Sequence, residues 1–314
     1  LTIVSLLATA CAPSPAPAPA APAAPTVAAP RPAPAPTVSP QEIRPTPAPA
    51  TVPPSGTPTP ARPVAPAADQ PRRGGWLVAW GTSIGRTLDP NQETSIFPMQ
   101  LLTSTFHRLV TIDPERLPKE RVFIGQLAER WEMDASTQRW TFYLRSGIRF
   151  QDGVPLTSAD VKATLERMRD APGGIISPFK IVAAAIDKVE TPNERTVVIT
   201  TGQPAAWMLT FLAQPTSSIV PAHIVSKNQK ALEKNPIGSG PFKFSVREED
   251  VKIEFVRNDD NYNKDLPYLD GHRWLVVREA ATQFAALRTG RVNFSGFGTR
   301  GLSKSEADLL AQRM

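Results

Sequence analysis

Apolar and polar residues alternate along several short stretches from about residue 74 onward. Trp140, Phe142 and Leu144 alternate with more polar neighbours, and this period of two predicts a strand with one buried face. Similar alternation, or a short apolar run, predicts further strands at residues 76–80, 195–200, 242–246, 251–256, 274–277 and 292–294. The acidic segment 248–250 separates two of these strands, so we expect 242–246 and 251–256 to pair as a hairpin.

Other stretches follow the 3.6-residue period of a helix. Thr157 and Asp160 have the spacing of a capping box, and the apolar residues at 161, 165 and 168 then share one face. Strands interleaved with helices predict a layered α/β fold. Three more helices are predicted: one beginning at Pro98, one over 281–289 that ends before Gly290, and one capped by Ser303 and Glu306.

The first 73 residues differ in composition from the rest of the chain. They hold 21 of its 35 prolines, interleaved with Ala, Thr and Ser. Such a stretch buries too little apolar surface to offset its ordering entropy, so we predict that residues 11–73 form a disordered, partly polyproline-II tether. At about 3.1 Å per extended residue, the tether could hold a folded part on the order of 100 Å from an anchor.

An apolar segment precedes this tether. Residues 1–10 (LTIVSLLATA) resemble the end of a secretory signal peptide, with small residues directly before Cys11. The arrangement is similar to a bacterial lipobox, although Ala8 stands where Leu is usual. We therefore expect lipidation of Cys11 and an extracytoplasmic protein that is lipid-anchored to the cell membrane. The alternative is a cysteine that follows an ordinary cleavage site by chance.

Charge argues against one class of partner. The chain has 35 basic and 29 acidic residues, and beyond residue 73 the balance is 30 to 27. Basic residues lie among acidic ones, as in the segment 247–252 (REEDVK), and no basic run is interleaved with aromatic residues. A nucleic-acid interface needs a clustered basic face. We predict no nucleic-acid partner.

One segment carries a catalytic motif. Gly81 to Gly85 match G-x-S-x-G, the nucleophile elbow of serine hydrolases, with Ser83 as the nucleophile. The elbow requires a helix to begin at once, whereas a turn sequence with Pro90 follows here. A secreted serine hydrolase that uses Ser83 is therefore kept as an alternative only, and we predict that the protein is not an enzyme.

Metal and phosphate sites have little support in the sequence. The three histidines, at 107, 223 and 272, are not at ligand spacing, and Cys11 is the single cysteine. The segment 238–241 (GSGP) lacks the Lys and the helix of a phosphate loop and instead predicts a tight turn. Asp152 is expected in a turn. We predict no metal and no cofactor.

Several ordered segments resemble the bacterial extracellular solute-binding proteins of family 5, the peptide/nickel class that serves ABC importers. Three positions depart from the family pattern: Asn293 stands for Asp, Ser239 for Thr and Asn263 for Trp. The resemblance covers residues 74–300, and its motifs are LAERWE followed by TFYLR at 127–145, FQDGVPLTSADV at 150–161, IGSGPF at 237–242, NYN with PYLD at 261–270, and LRTGRVN at 287–293.

This resemblance implies an α/β, two-lobe periplasmic-binding-protein-like fold of the class II type, with an extra inserted domain. The implied divisions are the first lobe at 74–105 and 184–275, the inserted domain at 106–183, and the start of the second lobe at 276–314. The last predicted helix has no Gly or Pro terminator. We therefore expect most of the second lobe to lie outside this sequence.

The resemblance also implies a function. The protein is expected to be the substrate-binding component of an ABC importer, which captures an oligopeptide or dipeptide by lobe closure and delivers it to a permease with its ATPase subunits. An extracytoplasmic sensor or adhesion module is the alternative, since a fold alone does not fix function. The expected ligand contacts are Thr82, Ser83, Ile84, Thr216, Ser217, Gly296 and Phe297. For each of them the alternative is an ordinary loop residue that does not contact the ligand.

Overall fold

A computed structural model describes residues 71–294 and 302–311 of the 314-residue chain, so the signal segment, Cys11 and the tether up to residue 70 lie outside the described residues. Arg73, at the predicted end of the tether, donates to Asp265 O over 3.1 Å and so belongs to the folded part. The described residues belong to one compact unit. The strands are β1 (Trp76–Gly81), β2 (Val110–Ile112), β3 (Phe123–Gly125), β4 (Ala128–Met133), β5 (Arg139–Leu144), β6 (Ile186–Asn193), β7 (Thr196–Thr201), β8 (Phe242–Glu248), β9 (Lys252–Arg257) and β10 (Gly271–Val276).

The helices are mostly short and connect these strands. None of them, within the described residues, has both the length and the apolar character that a membrane crossing requires. They are α1 (Ile96–Thr103), α2 (Ser158–Arg169), α3 (Lys180–Ala183), α4 (Met208–Leu212), α5 (Ala222–Val225), α6 (Ala280–Arg288) and α7 (Lys304–Ala311), together with 3-10 turns at Pro215–Ser217 and Ala231–Glu233.

The first sheet has the strand order β1-β10-β9-β8. β1 and β10 are parallel, with Gly81 opposite Val276 at their ends. β9 is antiparallel to both β10 and β8, so β8 runs in the same direction as β1 and β10. Three strands therefore end at one side of the sheet. We call this side, formed by residues 82–83, 277–278 and the hairpin turn 248–251, the carboxyl edge.

The helix α1 packs on one face of this sheet. Its Leu101 and Leu102 are buried in a core that also contains Phe255 and Trp274. Gly81 allows the close approach, because a Cβ placed there would lie 2.1 Å from the ring of Phe97. Burial of these large apolar side chains contributes on the order of 1.5–3 kcal/mol each to folding.

The second sheet has the order β4-β5-β7-β6 and is antiparallel throughout. Trp140, Phe142 and Leu144 of β5 point into its core, which confirms the alternation in the sequence. The sheet continues past the predicted domain boundary at residue 183, since β6 and β7 are hydrogen-bonded members of it. The inserted-domain range 106–183 therefore contains half of this sheet.

Two turns within the family-like motifs, one after β5 and one before β8, connect the first sheet with the second. The side chain of Gln151, in the turn after β5, donates to Gly240 O and Phe242 O over 3.3 and 2.8 Å. Gly238 in the facing turn has no room for a side chain, because a Cβ there would lie 2.1 Å from Thr105 O. The turn predicted at 238–241 is therefore present and leads directly into β8.

Most predicted elements are present within one to three residues, including the β8–β9 hairpin and the helices capped by Thr157 and Ser303. The start predicted for α1 is wrong: Pro98 is its third residue, where the missing N–H still needs no partner within the helix. The strand predicted at 292–294 is also wrong, because the described part of that segment makes a single bridge, at Phe294.

Candidate functional site

The carboxyl edge gathers the ends of parallel strands. β1 is followed by Thr82 and Ser83, and β10 by Val277 and Arg278. Val277 N donates to Gly81 O over 2.9 Å, which holds the two strand ends together. Ligands of open α/β sheets bind outside the carboxyl ends of parallel strands. This edge is therefore the candidate ligand site.

Thr82, Ser83 and Ile84, the three residues after β1 that are predicted to contact the ligand, differ in their surroundings. Thr82 and Ser83 are exposed, and Ser83 Oγ accepts a hydrogen bond from Gly85 N over 3.0 Å. The Ser83 hydroxyl proton therefore remains available to an acceptor on a ligand. Ile84 is 3% exposed and packs with Leu88 in the core beneath the loop. Its side chain supports the loop and does not face solvent.

A third segment lies beside β1. Phe294 forms a parallel bridge with Ala79, so the chain leaves this bridge in the direction of the carboxyl edge. The predicted ligand residues Gly296 and Phe297 come directly after it. Both lie outside the described residues, and their role stays a prediction.

Thr216 and Ser217 are buried in a 3-10 turn. Ser217 Oγ donates to Phe211 O over 2.7 Å, so this hydroxyl serves the local fold. Thr216 Oγ1 has no hydrogen-bond partner among the described residues, although the residue is only 4% exposed. A buried hydroxyl without a partner costs free energy unless water or a ligand satisfies it. Thr216 is therefore the stronger ligand candidate of the two.

Thr216 lines a cavity of about 370 Å³ at the start of α1. Glu93 lines the same cavity, and its Oε2 lies 2.8 Å from the position that a Cβ on Gly85 would occupy. Glu93 thus connects the loop that carries Ser83 with the cavity that contains Thr216. No motif in the sequence points to Glu93, because its role depends on this packing.

A larger cavity, of about 590 Å³, opens beside β8. Its lining includes Arg86, Lys234 and Arg247. Arg247 Nη2 donates to Gly85 O over 2.9 Å, which ties the end of β8 to the loop after β1. Sequence reasoning missed these cations, because they are far apart in the chain and belong to no motif.

The buried histidines have structural surroundings. Burial lowers the pKa of His107 and of His272 to about 4, so both rings are neutral near pH 7. His107 Nδ1 lies 3.2 Å from Ser239 Oγ. The indole of Trp274 donates to His272 Nδ1 over 2.7 Å, which leaves the proton of the ring on Nε2. Their polar atoms are used within the core.

The serine-hydrolase alternative lacks its required geometry. The first helix after Ser83 begins at Ile96, so no helix N-terminus lies directly behind the serine. The third histidine, His223 near the start of α5, pairs with Asp152 over 2.7 Å. Across residues 71–294 and 302–311, no group of three or more His, Cys, Asp or Glu side chains forms a possible metal site.

Comparison with known proteins identifies the class. The profile described as bacterial extracellular solute-binding proteins, family 5 middle, matches residues 122–309. The chain belongs to this family. The sequence resemblance to family 5 is thereby confirmed, and with it the class of solute-binding protein.

Particular relatives agree with this membership. The chain is 33% identical to a putative ABC transporter peptide-binding protein of Brucella ovis over 66% of its own length, and 28% identical to the glutathione-binding protein GsiB of Escherichia coli K12 over 70%. These matches cover 39% and 41% of the relatives, so the chain spans about two fifths of their length. Both relatives are described as binding proteins.

A solved structure confirms the fold class. The periplasmic binding protein AgaA of Agrobacterium tumefaciens R10, in complex with agropinic acid, superposes with a TM-score of 0.65 at 32% identity. The match covers 70% of this chain and 43% of AgaA. The α/β fold of a family 5 periplasmic binding protein, predicted from the motifs, is therefore present.

Proposed function

We propose that the protein is the extracytoplasmic substrate-binding component of an ABC importer, and that it captures a peptide-like solute at the carboxyl edge. The observation that carries the proposal is the parallel β1–β10 pair, which ends in an exposed, hydroxyl-bearing loop in a member of this family. Hinge closure of two lobes encloses a solute without covalent chemistry. Its partners are then a membrane permease and the associated ATPase subunits.

The proposed solute class follows from what the relatives are described as binding. Peptides and glutathione share carboxylate and amide groups. Such groups suit hydroxyl donors and backbone amides, as at the exposed Thr82 and Ser83. Thr216 is proposed as a weaker contact, because its unpaired hydroxyl is buried at the cavity beside the start of α1. Gly296 and Phe297 are proposed as further contacts, because they follow the bridge beside β1.

We assign the first sheet, with α1, to the first lobe and the sheet β4–β7 to the inserted domain. Cys11 is proposed as a lipidation site that anchors the tether, because small residues precede it and the proline-rich stretch begins directly after it. Metabolic labelling of cells with an alkyne fatty acid tests this. Label on the wild type that is lost in Cys11→Ser supports the anchor, and equal label on both rejects it.

The function is tested on the complete gene product, purified without its anchor, by native mass spectrometry and by thermal unfolding with dipeptides, tripeptides and glutathione. We expect a bound mass that dissociates as peptide, or a rise in Tm with one of these probes. Ser83→Trp should block binding, whereas Gln203→Trp, on an exposed loop of the second sheet, should not. An empty protein whose Tm ignores all of the probes overturns the proposal.

A further inference from the structure

We propose that the cavity beside β8 is an anion subsite, in which Arg86, Lys234 and Arg247 bind a carboxylate group of the captured solute. This inference rests on the proposed function, because it specifies the charge of the solute that the carboxyl edge receives. It selects acidic peptides and other solutes with several carboxylates over neutral ones.

The position of the cavity is the first argument. Arg86 lies three residues after Ser83 in the chain. Arg247 is near the end of β8, at the carboxyl edge of the sheet. Arg247 Nη2 donates to Gly85 O over 2.9 Å, and Ser83 Oγ accepts from Gly85 N over 3.0 Å. Gly85 is therefore hydrogen-bonded both to Ser83 of the candidate ligand loop and to a cation of the cavity, which places the two next to each other along the chain and in space.

The charges of the lining are the second argument. Arg86 and Lys234 are exposed, and within the described residues their side chains have no hydrogen bond or ion pair. Arg247 pairs with Glu249, which is the single acidic residue in the lining. The lining thus carries three cations and one anion, and two of the cations have no partner among the residues that the structure describes.

The neighbouring acids reduce this excess but do not cancel it. Glu248 pairs with Lys252 over 2.9 Å. Glu233, next to Lys234, accepts from the neutral Gln92 side chain over 3.4 Å and keeps its charge, so three cations stand against Glu249 and Glu233. A concave surface with uncompensated cations concentrates anions.

The third argument is the pre-organisation of the cavity. The side chain of Arg247 is only 13% exposed and is held by Gly85 O and Glu249, so its guanidinium is fixed before any ligand arrives. Phe244 and Val246 give the cavity an apolar floor. A volume of about 590 Å³ lies within the range of small-molecule sites. Glu249 and Gly85 O occupy Nε and Nη2 of Arg247, so a ligand carboxylate would meet Nη1 together with the side chains of Arg86 and Lys234.

The experiment measures, on the complete gene product, the Kd of three probes: Ala-Glu-Ala, its carboxylate-free analogue Ala-Gln-Ala amide, and glutathione. The test variant is Arg86→Gln/Lys234→Gln, which changes two exposed side chains. We expect the variant to bind Ala-Glu-Ala and glutathione about ten- to a hundredfold more weakly, as for a lost charge-assisted contact. Binding of the amide should be unchanged.

A matched control removes the same two charge types elsewhere. Lys119→Gln/Arg121→Gln lies in the exposed β2–β3 connection and should leave all three Kd values unchanged. An equal loss in both variants would mean that the effect comes from net charge, and it would overturn the subsite.

A competition titration with sodium phosphate tests whether an inorganic anion and a solute carboxylate occupy the same subsite. Phosphate that competes with Ala-Glu-Ala supports a shared subsite, whereas phosphate that binds without competing rejects it.

Failure of the subsite can be distinguished from failure of the proposed function. If the probes bind and the variant changes none of their Kd values, the subsite is wrong and the receptor function stands. If no probe binds to the wild type, both proposals are overturned.

Discussion

Arg167 of α2 and Asp89 of the loop after β1 form a buried, two-pronged ion pair. Nη2 lies 2.6 Å from Asp89 Oδ2 and Nη1 lies 3.2 Å from Oδ1, and the side chains are 4% and 0% exposed. The side-chain oxygen of Gln229 accepts from Arg167 Nε over 2.9 Å. The pair thus ties the helix of the second sheet to the loop that follows β1. It positions the loop behind the carboxyl edge.

Removal of one partner should leave a buried charge without compensation. We expect Arg167→Met to lower the free energy of unfolding by about 3–5 kcal/mol, measured by urea unfolding with tryptophan fluorescence. Lys162→Met is the control on the same helix, because Lys162 forms an exposed pair with Glu166. It should cost at most about 1 kcal/mol.

A double-mutant cycle isolates the pair itself. Asp89→Asn keeps the oxygen that accepts from Asn91 N but removes the charge. The double variant Arg167→Met/Asp89→Asn should therefore lose about 1–3 kcal/mol less than the sum of the two single losses. Strict additivity would mean that the two groups do not stabilise each other.

The neutral histidines in the core make stability depend on pH. Burial holds the pKa of His107 and of His272 at about 4, below the ordinary value of 6.5. Between these values the unfolded chain binds protons that the folded chain does not, so stability falls as pH falls from 6.5 towards 4. Two such groups contribute a slope of about 2.7 kcal/mol per pH unit at most.

His272→Gln should remove about half of this slope, whatever it costs in stability at pH 7. The measurement is the urea unfolding free energy of wild type and variant at several values between pH 4 and pH 7. Met168→Leu is the control, because it changes a buried side chain that does not titrate and should leave the slope unchanged. An unchanged slope in His272→Gln would show that His272 binds its proton as readily in the folded protein as in the unfolded chain.

Much of the fold was predictable because it depends on local signals. The alternation of Trp140, Phe142 and Leu144 and the capping box of Thr157 each reflect neighbours within a few residues. The pairing of β1 with β10 and the extension of the second sheet through β6 and β7 depend on contacts across distant segments. The hydrophobic pattern of either segment alone does not predict such a pairing.

The exposed loop after β1 was predictable from the sequence, but the surroundings of its residues were not. The edge after β1 follows from strand order, which is why Thr82 and Ser83 lie exposed there. Ile84 points into the core because the loop turns back over Leu88. The cations of the β8 cavity come from three separate segments, so only the folded chain brings them together.

Asn293 illustrates a departure from the family pattern that the structure explains. Its Oδ1 accepts from Val78 N over 2.8 Å and its Nδ2 donates to Trp76 O over 3.0 Å. The side-chain amide thus pairs with β1 as a neighbouring strand would, in a segment whose described backbone makes one bridge. An aspartate could accept the first bond but could not, when ionised, donate the second.

Asn293→Asp should therefore destabilise the protein at pH 7 by about 0.5–1.5 kcal/mol, because one hydrogen bond of an exposed side chain is lost and Trp76 O would face a carboxylate oxygen. The loss relative to wild type should shrink towards pH 3.5, where a protonated carboxyl can donate to that carbonyl. Asn193→Asp is the control, since the Asn193 side chain is used through Oδ1, which accepts from Arg195 N over 2.9 Å. That change should stay within about 0.5 kcal/mol of wild type. If Asn293→Asp costs the same at both pH values, repulsion between the carboxylate and the carbonyl is not the cause.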